Sequence, residues 1–387
     1  MLTRSQIGAL GSGSFVMATS MLIVTGMLVE MAQDLGLPVT VAGQLVAAAP
    51  LMLALASPTL ALTTSAFSRR TLLIWGAVIT AASHFLAAAS DSFAMLLVAR
   101  ALTGLGAACF MPQTAATAVV LAPANQGGRM LALVFVGYGV ANSVGLPVGT
   151  WLGAVIGWRA TLVIIGLISL AVGAWVWRAL PAKIAQAPLR AASMFDVARD
   201  LAIVTSIGVG LLQSLAQFTV FAYIAPSLRE SLGGGASTTA FMLAVYGVSG
   251  IVGSFITSRI ADRLGPVRII FIAIGLMMAA LLAWSLGRGS YPLTLLAMVF
   301  WGLGNMPIPS ALPVRLIALN PSLASASISF NNTASFGGAA IGTVIGARMI
   351  EAFGYVSLGW VGIGVFVLCL AMLSLSQRMS HGRISRR

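Results

Sequence analysis

Residues 355–376 read YVSLGWVGIGVFVLCLAMLSLS, 22 in a row without a charged side chain. At a helical rise of about 1.5 Å per residue, such a run spans the roughly 30 Å hydrocarbon core of a bilayer. Working back from it, eleven further apolar runs appear at 7–31, 41–63, 71–90, 94–118, 129–154, 159–180, 199–226, 237–258, 268–287, 291–312 and 324–349. Short polar breaks separate them. The composition agrees: of 387 residues 59% are hydrophobic and 7% charged, against about 25% charged in a soluble domain. The chain cannot build a charged skin. That excludes a soluble enzyme, a secreted disulfide scaffold and a disordered regulator. The short alternating segments of a membrane β-barrel are also missing from the sequence. No small-residue cleavage site follows the first run, so it reads as a retained span. The expected fold is all-α, with twelve transmembrane helices, numbered here as spans 1 to 12.

The longest interruption, 181–198, falls in the middle and holds Pro181, Lys183, Pro188, Arg190 and Asp196. It reads as a cytoplasmic linker between an N-terminal six-helix half (1–180) and a C-terminal half (199–376), leaving a tail at 377–387. The net charge of +13 invites a nucleic-acid reading, but its distribution argues otherwise. With the N-terminus inside, sixteen of the 21 Lys and Arg residues fall on that side and five on the other, while the acids divide three to five. The basic excess is a topology signal. It predicts a multi-pass membrane protein with both termini cytoplasmic.

The halves repeat. Span 4 holds Gly104-Leu-Gly106 and ends at Ala122-Pro123; span 10 holds Gly302-Leu-Gly304 and ends at Asn320-Pro321. Span 5 carries Gly145, Gly149 and Gly153, and span 11 carries Gly338, Gly342 and Gly346. The loop after span 2 contains Ser68-Arg69-Arg70, and the one after span 8 contains Asp262-Arg263-Leu264-Gly265-Pro266-Val267-Arg268. Two homologous membrane halves predict a site between them near the midplane.

These residues resemble the major facilitator superfamily. The 262–268 segment is similar to its loop motif after the eighth helix. Arg100-Ala-Leu-Thr-Gly104-Leu-Gly106 resembles its fourth-helix arginine motif. Gly145-Leu-Pro147-Val-Gly149-Thr-Trp-Leu-Gly153, followed by Gly157-Trp158-Arg159, resembles its fifth-helix antiporter motif. Within the superfamily the chain looks closest to bacterial twelve-span drug:proton antiporters, in the branch of sugar, nucleoside and chloramphenicol exporters. The resemblance implies alternating access and proton antiport, with seams pairing span 5 with 8 and span 2 with 11. The sequence departs from the pattern in two places. The run Ser65-Ala-Phe-Ser68-Arg69-Arg70 has no acid, and span 1 reads Thr19-Ser20-Met21-Leu22 where related exporters often carry a glutamate.

Several side chains are candidates for the transport chemistry. Arg100, inside span 4, either faces a partner or cavity or snorkels to the outer interface; Glu30 and Asp34, near the end of span 1, are candidate partners. Together with His84 they are the proton-coupling candidates. Tyr138, Asn142, Gly145, Gly149 and Gly153 line up on one face of span 5; the three glycines, with Pro147, Gly338 and Gly342, are assigned to gating and close packing. Asp262 and Arg263 belong to that group as a loop gate. Span 10 reads Asn305-Met306-Pro307-Ile308-Pro309-Ser310-Ala311-Leu312-Pro313, and span 4 has Pro112 beside Gln113. Prolines at corresponding places predict matching breaks that form a gate or site. Gln213 and Gln217 share a face of span 7. With Gln113, Tyr246, Asn305, Asn331, Met21, Tyr138 and Asn142 they suggest a cavity of amides, hydroxyls and bulky apolar groups. Taken singly, each amide is also read as interhelical glue.

The resulting reading is a secondary transporter exporting a small organic molecule: a drug, a sugar or a nucleoside-like compound. An uncoupled facilitator and a transporter-like membrane sensor are the alternatives. No enzyme is expected, because clustered nucleophiles, bases and deep acids are missing. No cofactor or metal is expected. An ATP-binding phosphate loop is excluded, since the one lysine, Lys183, follows Ala182. The expected partners are a small-molecule substrate, protons by family implication, and membrane lipid, with no nucleic acid. The chain is expected to act as a monomer.

Overall fold

A computed structural model describes residues 3–64, 66–123, 126–184 and 191–384. Ser65, the linker residues Pro188 and Arg190, the tail residues Arg386 and Arg387, and the side chains of Arg129 and Arg383 lie outside this description. The described residues are almost entirely helical, with no strand among them. Ten helices are long and apolar enough to cross a membrane. One of these, Ala236–Leu286, contains both spans 8 and 9, and span 5 is divided into pieces too short to qualify alone. Among the described residues twelve spans result, and the chain is an all-α, multi-pass membrane protein.

Span 1 starts at a capping box: Thr3 Oγ1 accepts Gln6 N at 3.2 Å and Gln6 Oε1 accepts Thr3 N at 2.9 Å. It runs as Arg4–Gly26 and, after a break at Met27, Leu28–Asp34. Spans 2, 3 and 4 are Gln44–Thr63, Arg69–Ala88 and Phe93–Val120. Span 5 is Gly127–Val140, a π segment at Ala141–Gly145, and Leu146–Val155; span 6 is Trp158–Ala179. Span 7 is N-capped by Asp200 Oδ1, which accepts Ala202 N at 3.1 Å and Ile203 N at 3.3 Å. It runs as Leu201–Phe221 and Ile224–Leu232. Span 10 is Tyr291–Asn305 and Ile308–Leu319, span 11 Ala324–Phe353 and span 12 Val356–Ile384. Contacts divide the chain into two compact units, Met1–Pro188 with Gly235–Ala244, and Leu189–Gly234 with Val245–Arg387.

Four features add to or depart from the sequence reading. The segment after span 8 is not an extended loop: helix continues on both sides of Gly265, which alone leaves the helical region (φ 70°, ψ 163°). Glycine adopts that conformation without steric cost, and Pro266 starts the next helix without wasting a donor. Residues 191–199 of the linker form a helix, Ala191–Arg199, because Val197 has an apolar cluster of Ile203, Leu316 and Ala326 to dock on. The tail is likewise helical as far as Ile384. Finally, span 4 passes unbroken through Pro112 while span 10 breaks at Met306-Pro307. One proline costs a helix one donor; Pro307 and Pro309 remove two within three residues and span 10 breaks there, whereas Pro313 alone is passed as Pro112 is.

The repeated Gly-Leu-Gly motif is used the same way in both units. A Cβ on Gly104 would overlap the Ala49 carbonyl of span 2, and one on Gly302 would overlap the Tyr246 carbonyl of span 8. Gly106 packs on the Gly76 carbonyl of span 3, and Gly304 on the Ala273 carbonyl of span 9. In each unit the two glycines let the central helix approach two neighbours at backbone distance.

Candidate functional site

In the N-terminal unit, Arg100 is 3% exposed. Each of its three guanidinium nitrogens donates to a main-chain carbonyl: Nε to Leu45 O at 2.9 Å, Nη1 to Ser20 O at 2.8 Å and Nη2 to Met21 O at 3.0 Å. The snorkelling alternative therefore fails, because the side chain points into the bundle and ties span 4 to spans 1 and 2. Placing an arginine in a span costs about 2.5–3.5 kcal/mol on insertion scales. Three hydrogen bonds from a charged donor, each worth about 1.5–3 kcal/mol, outweigh that cost. Ser20 also serves span 3: its hydroxyl lies 2.8 Å from His84 Nε2. Ser83 and Thr103, 2.9 Å apart, extend this polar contact between spans 3 and 4.

The expected cluster of Arg100 with Glu30 and Asp34 does not form. Asp34 pairs with Arg159, which also binds Asp91 at 2.8 Å and stacks on Trp158 at 4.2 Å; Trp158 Nε1 donates to Asp34 at 3.2 Å. Arg159 thus holds together the connections before span 2, before span 4 and before span 6. The nearer partner won because carbonyls of spans 1 and 2 lie within reach of Arg100 along its whole length, whereas Asp34 lies beyond the break in span 1. Gln113 is also elsewhere than expected, accepting Arg69 Nη1 at 2.9 Å.

Span 5 carries its small residues against span 1. Cβ atoms on Gly145 and Gly149 would overlap Thr19 and Ile23, and one on Gly153 would come within 2.6 Å of Met27 Cγ. Gly137 adds to the row by lying on the Gly11 carbonyl, and Ala141 between them is fully buried. Contacts repeating every four residues drift by about 40° per step on an ideal α-helix. The wider π turn at Ala141–Gly145 takes up that drift. Carbonyls loosened there are satisfied by side chains: Asn142 Nδ2 donates to Tyr138 O and Ser143 Oγ to Gly139 O, both at 3.0 Å. Tyr138 leaves the glycine row and lines a cavity of about 20 Å³ with Ser14, Met111 and Thr114. The helix that this row packs against is span 1. The span 8 glycines Gly250 and Gly253 pack on Met306 and Leu303 of span 10.

In the C-terminal unit the glycines of span 11 meet backbone instead. Gly338, Gly342 and Gly346 lie on the carbonyls of Leu211, Leu215 and Thr219 in span 7. Asp262 and Arg263 are exposed, and among the described residues neither makes an ion pair.

Four of the amide and hydroxyl candidates come together. Gln213 Nε2 donates to Gln217 Oε1 at 3.1 Å and Asn305 Oδ1 at 3.2 Å. Tyr246 Oη accepts Gln217 Nε2 at 3.2 Å and Asn305 Nδ2 at 2.7 Å, closing a ring across spans 7, 8 and 10. All four are buried. The sequence explains the closure: Gly302 lets span 8 reach span 10 at the Tyr246 carbonyl, one turn before Asn305, and the break at Met306-Pro307 follows directly. Phe221 and Trp301 flank Tyr246, with ring centroids 5.1 and 6.2 Å away, and Trp284 backs Trp301 at 6.4 Å. Asn331 stands apart, its Oδ1 against Gly210. Tyr223 is interhelical glue, donating to Thr343 O at 3.0 Å, and Gln44 and Asn332 are exposed.

Sequence reasoning missed Arg315. It is 4% exposed and donates to Ser206 Oγ at 3.1 Å and Ser376 Oγ at 2.8 Å, joining spans 10, 7 and 12. The apolar residues on both sides, Leu312 to Ile317, were the available signal.

Helices of membrane length around buried, mutually bonded polar groups define a multi-pass membrane protein. The chain belongs to the Major Facilitator Superfamily, whose family model matches residues 10–342 and again 207–383. It is similar to a probable sugar efflux transporter of Mannheimia succiniciproducens, 28% identical over 353 residues that cover 90% of this chain and 88% of that one. It is also similar to the transcription regulatory protein OpdE of Pseudomonas aeruginosa, 27% identical over 381 residues, 97% of this chain and 94% of that one. In fold it matches the crystal structure of a D-xylose–proton symporter at a TM-score of 0.79, with 17% identity over 96% of this chain and 97% of that one.

Proposed function

We propose that this transporter exports a small organic molecule from a bacterial cytoplasm by alternating access. Both termini would lie on the cytoplasmic side of the inner membrane, where the basic excess belongs. The observation that carries the reading is the ring of Gln213, Gln217, Tyr246 and Asn305: four neutral polar side chains buried where a soluble substrate would have to be stripped of water. The relative named as a sugar efflux transporter supports the outward direction. Proton antiport is the family's implication. Its carrier in this chain would be sought at Glu30 and His84, the latter through its contact with Ser20, since Asp34 is held by Arg159.

The test is efflux of labelled sugars and nucleosides from loaded proteoliposomes, with and without an imposed pH gradient. Protein-dependent efflux accelerated by the gradient supports antiport. Flux that follows only the substrate gradient supports the facilitator instead. The name of the OpdE relative favours a second reading, a membrane sensor. It requires zero flux for every compound, together with a transcriptional change when the gene is deleted.

A further inference from the structure

We infer that the C-terminal ring recognises an uncharged polyhydroxylated group and rejects carboxylated or phosphorylated analogues of it. This rests on the transport reading above and narrows its substrate.

Every member of the ring is neutral, and the three amides both donate and accept. Such groups match hydroxyls, which also do both. The amides bond to one another. An entering hydroxyl would replace one of these bonds with another of similar worth, so the exchange is close to balanced. An entering anion has no such balance. Burying an unpaired charge is far more costly than burying a hydroxyl, and the ring offers no cation.

The two buried arginines do not change this. Arg100 has each nitrogen on a carbonyl, and Arg315 is held by Ser206 and Ser376. Arg100 thus has no nitrogen without a carbonyl, and Arg315 is 4% exposed.

One further donor stands ready. Trp301 is 0% exposed, and its Nε1–H has no partner among the described residues. It lies one helical turn before Asn305 on the same face and packs on the Tyr246 ring. A buried unpaired N–H is costly, which is accounted for if a bound hydroxyl completes it. Its ring, with Phe221, offers the apolar surface that the C–H face of a sugar ring requires.

The test uses the full chain in proteoliposomes and labelled pairs differing only in charge: glucose with gluconate and glucose 6-phosphate, and galactose with galacturonate. Ethidium serves as an unrelated solute. Transport of a neutral member, at least about tenfold faster than its anionic partner, is the expected result. Equal or faster transport of an anion overturns the inference while leaving the transporter reading intact. Ethidium transport without transport of any sugar does the same. No flux of any compound overturns both. Two variants separate recognition from folding. Trp301→Phe keeps the ring and removes the N–H. Its half-saturating sugar concentration should rise about fivefold to tenfold, corresponding to one lost hydrogen bond, and melting in detergent measures separately the stability lost to the smaller ring. Tyr246→Phe removes the shared acceptor and should raise that concentration at least as much. Unchanged sugar affinity in both variants overturns the assignment.

Discussion

The main-chain carbonyl of Ser20 accepts Arg100 Nη1 at 2.8 Å, while the Ser20 hydroxyl meets His84 Nε2 at the same distance. One residue of span 1 therefore anchors spans 3 and 4 by two different atoms. Removing the guanidinium should be felt in both stability and transport. Arg100→Ala is expected to insert in the membrane, to lose on the order of 1–3 kcal/mol of stability and to abolish efflux. Arg100→Lys should recover little, because an ammonium cannot address three carbonyls in a planar fork. Thermal melting in detergent beside an efflux assay checks this, and full activity of Arg100→Ala would refute it.

The two glycine rows should respond differently to the same change. Gly149→Ala meets the tip of Ile23, a side chain that can be shortened, so Ile23→Ala should rescue it. Gly342→Ala meets the Leu215 carbonyl, and no side-chain substitution can move that atom. Overpacking of about 1–3 kcal/mol is expected for both single variants, with rescue only at the first. Melting temperatures of the single and double variants decide it.

At the π turn of span 5, Asn142→Leu and Ser143→Ala remove the side-chain donors from the carbonyls of Tyr138 and Gly139. Amide exchange at residues 138–146 should accelerate about tenfold, and efflux should fall with the fold retained. Hydrogen–deuterium exchange reads the first and transport the second. Unchanged exchange would mean that the side chains do not hold the turn.

The Arg159 cluster is predicted to be a structural tie and not a proton carrier. Asp34 and Arg159 are both partly exposed, so Asp34→Asn should cost less than about 1 kcal/mol, and less still at 1 M salt. Its response to a pH gradient should equal that of the wild type. Loss of that response would return Asp34 to the coupling candidates.

Much of the fold was legible because bilayer thickness imposes long apolar runs, and duplication prints the same glycines twice. The polar ring was partly legible: Gln213 and Gln217 sit four apart, and Asn305 precedes a cluster of prolines. What could not be read were partners lacking side-chain identity. The carbonyls that hold Arg100 exist at every residue, so the search for an acid led to Glu30 and Asp34. The direction of a glycine face is equally silent, since a missing Cβ names no neighbour. The π turn hid because it preserves a four-residue spacing that an ordinary helix would have rotated away.

The span 11 glycines carry a consequence at the level of the genetic code. A glycine codon changed at one base specifies alanine, serine, cysteine, valine, aspartate, glutamate, arginine, tryptophan or a stop, and every one of those amino acids adds a Cβ. At Gly338, Gly342 and Gly346 that first carbon already collides with span 7. Hydrophobicity, charge and size then make little difference to the outcome. In a saturation library these three positions should show flat, all-or-none columns, while Gly145, Gly149 and Gly153 show graded ones ordered by side-chain volume.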